Sequence, residues 1–281
     1  MAADRSAVVV VASAVVIRDI NGGQMTGRFE GSGVMVTGGA SGLGEATVRA
    51  FHSRGARVLV IDSDEKRGEQ VASEMGERVI FLRADVSSDK ELEACFERAG
   101  RLLPNVRVAV HCAGIVLGEK ILGSQGIHDL ERFRHVIDVN LVGSFNLLRL
   151  AARYMSTNEP DGEGQRGVIV LTASVAAFEG QIGQAAYSAS KAGVHGMILP
   201  AARELASSGI RVCCIAPGVF QTPMMAGLPE KVRKRLEEQI PFPPRMGRGE
   251  EYASLVLQMV SNPMLNGVTV RLDGALRMLP R

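Results

Sequence analysis

The sequence predicts an α/β protein: one domain built on a doubly wound parallel sheet of about seven strands, with helices on both faces. Three observations predict it. Short apolar runs of strand length alternate with longer stretches carrying apolar residues at helical spacing, the pattern of consecutive βαβ units. The runs are nearly continuous in apolar residues, as strands covered on both faces are. A glycine-rich segment, T-G-G-A-S-G-L-G from Thr37 to Gly44, follows the first such run and opens a helical stretch.

The elements follow in order from Gly33. Val34–Thr37 is a short buried strand, and a helix runs from the glycine-rich segment through Arg54. Val58–Asp62 is the second strand, followed by a helix to about Met75. Val79–Ala84 is the third, with a helix over Asp89–Arg101, and Val106–His111 the fourth. Asp129–Tyr154 carries apolar residues at helical spacing and predicts one long helix; the polar turn Asn158–Gly167 ends it. Val168–Leu171 is the fifth strand, Ala185–Ser207 a helix, Ile210–Ala216 the sixth strand, closed by Pro217-Gly218, and Val268–Leu272 the seventh. Such alternation requires right-handed crossovers. No internal repeat or linker divides residues 31–281.

Composition narrows the class. Of 281 residues, 46% are apolar, ample for a large core, while a net charge of +2 and 4% aromatic residues offer nothing for nucleic acid or a membrane surface. Cys95, Cys112, Cys213 and Cys214 form no C-x-x-C pair and no metal-ligand spacing with the histidines, so they read as reduced, mostly buried thiols and no metal is expected. Cys213 and Cys214 are adjacent in a strand and should face opposite sides. Residues 1–30 read as an extension. The apolar run Ala7–Ile17 is too short to span a bilayer, and Asp4 beside Arg5 leaves no basic leader. Its β-branched content suggests a hairpin turning at Asn21-Gly22, or a flexible arm.

Gly38, Gly42 and Gly44 stand where a strand turns into a helix. Glycine there allows a tight turn and close backbone approach to a pyrophosphate, and the helix N-terminus offers free N–H groups, the signature of a Rossmann-type dinucleotide site. Asp62 ends the second strand, where an acid accepts hydrogen bonds from the adenosine ribose. Its charge repels a 2′-phosphate, and Ala40 and Ser41 supply no cation, so the cofactor is expected to be NAD rather than NADP. Asp85-Val86 ends the third strand, near the expected adenine. His111-Cys112-Ala113-Gly114 ends the fourth, with small residues where backbone must pass close to the cofactor. Asn140, in D-V-N-L, reads as a satisfied core amide or as a local bend holding a water.

The chemistry centres on S-V-A-A-F-E-G-Q-I-G-Q-A-A-Y-S-A-S-K, Ser174 to Lys191. Tyr187 and Lys191 are four apart and share a helix face. An ammonium one turn away favours the phenolate, and lowering the phenol from its ordinary ~10 by roughly two to three units would make it a base near neutral pH. Ser174, at a strand end, is placed to bond the substrate oxygen.

Together these residues resemble the short-chain dehydrogenase/reductase family, whose pattern is T-G-x-x-x-G-x-G, an acid after the second strand, an Asn in the long helix, a Ser and Y-x-x-x-K. The match runs from about Gly33 to the C-terminus. The resemblance implies that Asn140, Ser174, Tyr187 and Lys191 are catalytic: Tyr187 the acid/base, Ser174 orienting the substrate, Lys191 binding ribose and tuning Tyr187, Asn140 holding a relay water. It implies cofactor contacts from Gly38, Ser41, Gly42, Leu43, Gly44, Asp62, Asp85, Val86, Cys112, Ala113, Gly114, Tyr187, Lys191, Pro217, Gly218, Val219 and Thr222. A narrower resemblance, to the subgroup acting on 3-hydroxyacyl-CoA and hydroxysteroid alcohols, rests on the Ser174–Lys191 stretch, on I-A-P-G-V-F-Q-T-P-M-M and on R-L-D-G-A-L-R-M. It implies an NAD-dependent homotetramer in mitochondria working on short acyl-CoA or steroid alcohols. His111 departs from the pattern, and residues 1–30 carry no clear mitochondrial address.

Beyond Thr222, Met224, Met225, Leu228 and Phe242 are apolar material suited to covering an acyl chain, with Gly and Pro at both ends as in a lid. Lys231, Arg233, Lys234 and Arg235 suit coenzyme A phosphates or a solvated helix face. Gln181 is a candidate pocket residue. Three alternatives stand beside the acyl-CoA reading: a steroid or other secondary-alcohol dehydrogenase, a 3-oxoacyl-carrier reductase, whose usual NADPH Asp62 opposes, and a scaffold subunit, against which the complete set of catalytic residues speaks.

Overall fold

A computed structural model describes residues 29–280 apart from 104, 125 and 228; the hairpin expected at Asn21-Gly22 lies outside the described residues, as do Leu228 and the side chain of Met224. The strands are β1 (Gly33–Thr37), β2 (Arg57–Asp62), β3 (Val79–Arg83), β4 (Val106–His111), a small hairpin β5 (Leu122–Gly123) and β6 (Gly126–Ile127), then β7 (Gly167–Thr172), β8 (Ile210–Pro217) and β9 (Thr269–Leu272). The seven long strands form one sheet in the order β3-β2-β1-β4-β7-β8-β9, every pair parallel. The chain runs outward from β1 to β3 and then returns to place β4 on the other side of β1. The strand order therefore reverses between β1 and β4, the crevice where such sheets bind ligands.

Strand residues alternate between two cores. Val34, Val36, Val58, Val60, Val108, Val110, Val168 and Val170 face α1 (Gly42–His52), α2 (Glu65–Met75) and α9 (Gly249–Ser261). Met35, Leu59, Ile61, Ala109, Ile169 and Leu171 face α3 (Asp89–Leu102), α5 (Gly143–Met155) and α6 (Ala185–Leu205). Each fully buried Val or Leu contributes roughly 1.5–3 kcal/mol, so the two interleaved sets fix strand register far more firmly than propensity does. Cys213 and Cys214 fall one in each core, on opposite faces as the sequence predicts.

Three elements differ from the sequence reading. The expected helix over 129–154 is interrupted: α4 (Leu130–Ile137) passes into a π turn, Asp138–Val142, before α5. The sequence reading assigns neither the β5–β6 hairpin nor α9. Strands of two residues carry no periodic signal, whereas α9 had one, since Tyr252, Val256 and Met259 are spaced for one buried face. Past β8, α7 (Pro223–Ala226) and α8 (Glu230–Glu237) occupy the expected lid. Leu236 of α8 packs on a small apolar cluster of Val219, Ile240, Met246 and Leu276. Phe242, expected to cover a substrate chain, is 78% exposed. Among the described residues no helix is long and apolar enough to cross a membrane.

Candidate active site

The site is built at the C-terminal ends of β1, β4, β7 and β8. Gly38 leaves β1 with φ +67°, and a Cβ on it would lie 2.4 Å from the Ala113 nitrogen. On Gly44 a Cβ would fall 2.0 Å from the Gly38 carbonyl oxygen. The first position needs glycine for both conformation and space, the second for close approach of helix and loop. Ser41 is the N-cap of α1, yet its side chain caps nothing. The first-turn N–H groups around Gly42, Leu43 and Gly44 thus lack a capping partner at the positive end of the helix. Such a cradle fits a pyrophosphate.

Asp62 ends β2 with one carboxylate oxygen accepting from the Ala40 N–H at 3.0 Å and the other from the Asp64 N–H at 3.0 Å. Each oxygen keeps a lone pair for a ribose hydroxyl. Asp85 Oδ1 accepts from the Ser87 N–H and hydroxyl at 2.9 and 2.7 Å. Val86 packs against α5, where a Cβ on Gly143 would lie 2.7 Å from its Cγ2. The sequence offered no cation at this loop, but the structure brings one: Arg67, in the first turn of α2, donates from Nε to the Ala40 carbonyl at 3.2 Å. Its place three residues after the N-cap Asp64 was the available signal.

At the other end, Ser174 opens the 3₁₀ turn Val175–Ala177 and accepts from the Ala176 N–H at 3.1 Å. Its hydroxyl lies near enough to the Tyr187 phenol to favour the phenolate. The Lys191 ammonium stands over the Tyr187 ring, 5.8 Å from its centroid, and donates to the Thr172 carbonyl at 2.9 Å. A Cβ on Gly114 would come within 3.4 Å of Lys191 Nζ and 3.1 Å of Asn140 Oδ1, so β4 delivers a residue without a side chain between the two. Asn140 lies in the π turn, fully buried. It accepts from the Ile115 N–H at 2.8 Å and donates to the Ile115 carbonyl at 2.9 Å and to Ser190 Oγ at 3.1 Å. Its side chain therefore holds the β4 loop against α6. The Ser144 hydroxyl reaches its carbonyl at 2.5 Å.

Two electrostatic expectations change. Burial pushes the Tyr187 phenol above its ordinary value, and the Ser174 hydroxyl opposes this only in part. The lowering expected from Lys191 is absent. That ammonium is itself desolvated, its pKa lowered from 10.5 to about 8 by burial. Burial likewise raises the Cys112 thiol to about 11 despite its hydrogen bonds with Tyr252 and Thr172, so Cys112 is a neutral group.

Pro217 ends β8, and Gly218 donates to the Leu272 carbonyl at 2.9 Å. Thr222 caps α7 by accepting from the Met225 N–H and sits over the cofactor loop, 3.4 Å from a Cβ placed on Gly42. Val219, 8% exposed, faces the lid cluster. Two further side chains are held by local partners. Gln181 donates from Nε2 to the Leu279 carbonyl at 2.9 Å, fastening the Ser174–Tyr187 loop to the C-terminal tail. His111 turns into the sheet, its Nδ1 2.7 Å from Thr37 Oγ1, and burial with the nearby Lys191 charge lowers its pKa to about 3. Sequence reasoning also missed Arg271, which braces the same loop through Glu179 at 2.9 and 3.1 Å.

The chain matches the short chain dehydrogenase family over residues 32–233. It is 52% identical to the 3-hydroxyacyl-CoA dehydrogenase type-2 of Drosophila melanogaster over 248 residues, covering 88% of this chain and 97% of that protein. The human 3-hydroxyacyl-CoA dehydrogenase type-2 is 51% identical, with 88% and 95% covered. An ipsdienol dehydrogenase of Ips pini is 34% identical, with 89% and 98% covered. The crystal structure of a 3-hydroxyacyl-CoA dehydrogenase type-2 from Mycobacterium avium superposes with a TM-score of 0.86 at 42% identity, covering 90% of this chain and 99% of that one.

Proposed function

The chain belongs to the short-chain dehydrogenase family and is an oxidoreductase, and from that premise we propose that it interconverts 3-hydroxyacyl-CoA and 3-oxoacyl-CoA thioesters with NAD. The observation that carries the mechanism is the convergence of Ser174 and the buried Lys191 on Tyr187, with the ammonium 5.8 Å from the Tyr187 ring centroid. The identity above 50% to proteins named for this substrate carries the substrate class. The nicotinamide supplies or receives the hydride when bound. Ser174 holds the C3 oxygen of the substrate, and Tyr187 gives that oxygen a proton during reduction or removes it during oxidation. With its phenol raised by burial, Tyr187 is protonated at neutral pH, the form that serves reduction. Lys191 adds positive charge beneath the phenol and is placed to bond a ribose hydroxyl.

Asn140 contributes by position. Its amide is taken up by Ile115 and Ser190, so a relay water would rest on its backbone carbonyl rather than on its side chain. Gly38, Ser41, Gly42, Leu43 and Gly44 cradle the pyrophosphate, and Asp62 takes the adenosine ribose, which favours NAD over NADP. Pro217, Gly218, Val219 and Thr222 border the nicotinamide. Exposed apolar residues on α4 and α6, Leu130 at 58% and Leu199 at 47%, together with Phe145 of α5 at 52%, support assembly into a homotetramer. A second reading, oxidation of other secondary alcohols, is favoured by the 34% identity to the ipsdienol enzyme. Purified protein given NADH and acetoacetyl-CoA should oxidise NADH faster than with a steroid ketone, and faster than with NADPH. Bound NADH without thioester turnover would overturn the acyl-CoA reading.

A further inference from the structure

We infer that Tyr252 is a positioning residue of the active site: acting through Thr172, it fixes the backbone carbonyl on which the Lys191 ammonium rests. The role presupposes the function proposed for Lys191, positive charge beneath the phenol and a bond to the ribose. Tyr252 lies on α9, fully buried, on the face of the sheet opposite the helix that carries Lys191.

The parallel register of β4 and β7 ends at Val110 and Val170. Each strand runs on, to His111 on β4 and Thr172 on β7, and there the Thr172 side chain takes over from the ladder. Thr172 Oγ1 donates to the His111 carbonyl and lies 2.7 Å from the Tyr252 hydroxyl. Cys112 Sγ is 3.6 Å from the same Tyr252 oxygen. The direction of these bonds follows from the number of protons. A carbonyl only accepts, so the single Thr172 proton goes to His111. Tyr252 must then donate to Thr172, and its oxygen is left to accept from the Cys112 S–H. Thr172 is therefore gripped from two sides, by the end of β4 and by α9. Its own carbonyl accepts from Lys191 Nζ at 2.9 Å. The Lys191 ammonium is buried, and that carbonyl is its hydrogen-bond acceptor among the described residues. A shift of the β7 end would swing the ammonium away from the phenol and the ribose. The Tyr252 ring fills the core as a phenylalanine would, and what the hydroxyl adds is the grip on Thr172.

Fluorescence titration of NADH and steady-state turnover with acetoacetyl-CoA, on the full chain, test this. Tyr252→Phe keeps the ring and removes only the hydroxyl. It should weaken NADH and slow turnover by about three- to tenfold, the range one hydrogen bond spans, with the KM for the thioester near wild type. Thr172→Val should reproduce the loss, whereas Thr172→Ser, which keeps a hydroxyl, should not. Tyr252→Phe added to Thr172→Val should cost nothing more. In a Lys191→Met background, Tyr252→Phe should leave NADH affinity where Lys191→Met puts it. No loss from Tyr252→Phe, or an equal loss of affinity in both backgrounds, would overturn the role and leave Tyr252 as a core residue. A Lys191→Met protein that binds NADH and turns over like the wild type would instead bring down the function proposed for Lys191, and the role of Tyr252 with it.

Discussion

Tyr187 and Lys191 show how a pair that is plain in sequence acquires its chemistry only from burial. Their spacing of four placed them on one helix face, and Ser174 on the strand end before them, as found. Their proton affinities were not legible, because desolvation depends on what the fold stacks around them. Lys191 is 4% exposed, and the Thr172 carbonyl is its hydrogen-bond acceptor. Lowering its pKa from 10.5 to about 8 corresponds to about 3 kcal/mol of destabilisation while the ammonium is charged in the fold. Between those values the unfolded chain binds more protons than the folded one, so wild-type stability should rise with pH across that window. Lys191→Met should remove activity yet be more stable at neutral pH, by up to about 3 kcal/mol, and the advantage should fade as pH rises through the window. Denaturant melts of both proteins across the pH range check this, and a constant difference would contradict it. Arg67 and Gln181 mark the other limit: both were visible as residue types, but only the folded loops show one reaching Ala40 and the other the C-terminal tail.

Among the elements, the π turn at Asp138–Val142 most clearly links local backbone to the site. The apolar spacing of 129–154 hid it, because a single wide turn leaves the buried faces of α4 and α5 aligned on the same core. What the turn accomplishes is to carry Asn140 inward, where its amide satisfies both backbone groups of Ile115. Asn140→Ala would leave that part-buried N–H and carbonyl without their partner, at up to about 1–3 kcal/mol for each group that water does not reach. The thermal midpoint should fall, and turnover should fall more than nucleotide affinity, since the cradle on α1 is untouched. Nucleotide affinity lost in proportion to turnover would show instead that Asn140 acts on the whole crevice. The α9 helix was missed for a different reason. It follows a stretch rich in proline and charge, and its start carries no Ser or Thr cap, only the Glu251 carboxylate accepting from the Arg248 N–H at 2.8 Å.

At the level of the whole molecule, the reversal of strand order between β1 and β4 explains why residues so far apart in sequence meet. Every functional group lies at the C-terminal edge of the sheet, the one edge where loops from both halves converge. This much was legible: strand positions, the glycine turn, the acid after β2 and the helix that carries Tyr187 and Lys191 follow from periodicity and punctuation. The lid was less so, since α7 and α8 are short and their packing on Val219 and Leu276 is set by tertiary contact. Under the proposed function, Tyr187 passes a proton in this crevice as a hydride moves between NAD and a 3-oxoacyl thioester. The most direct test compares wild type with Tyr187→Phe, following loss of reduced-nicotinamide absorbance with acetoacetyl-CoA and measuring NADH affinity on the same samples. Turnover should fall by about 10²–10⁴-fold with NADH still bound, the range expected for loss of a general acid. Equal turnover in the two proteins would contradict that role of Tyr187.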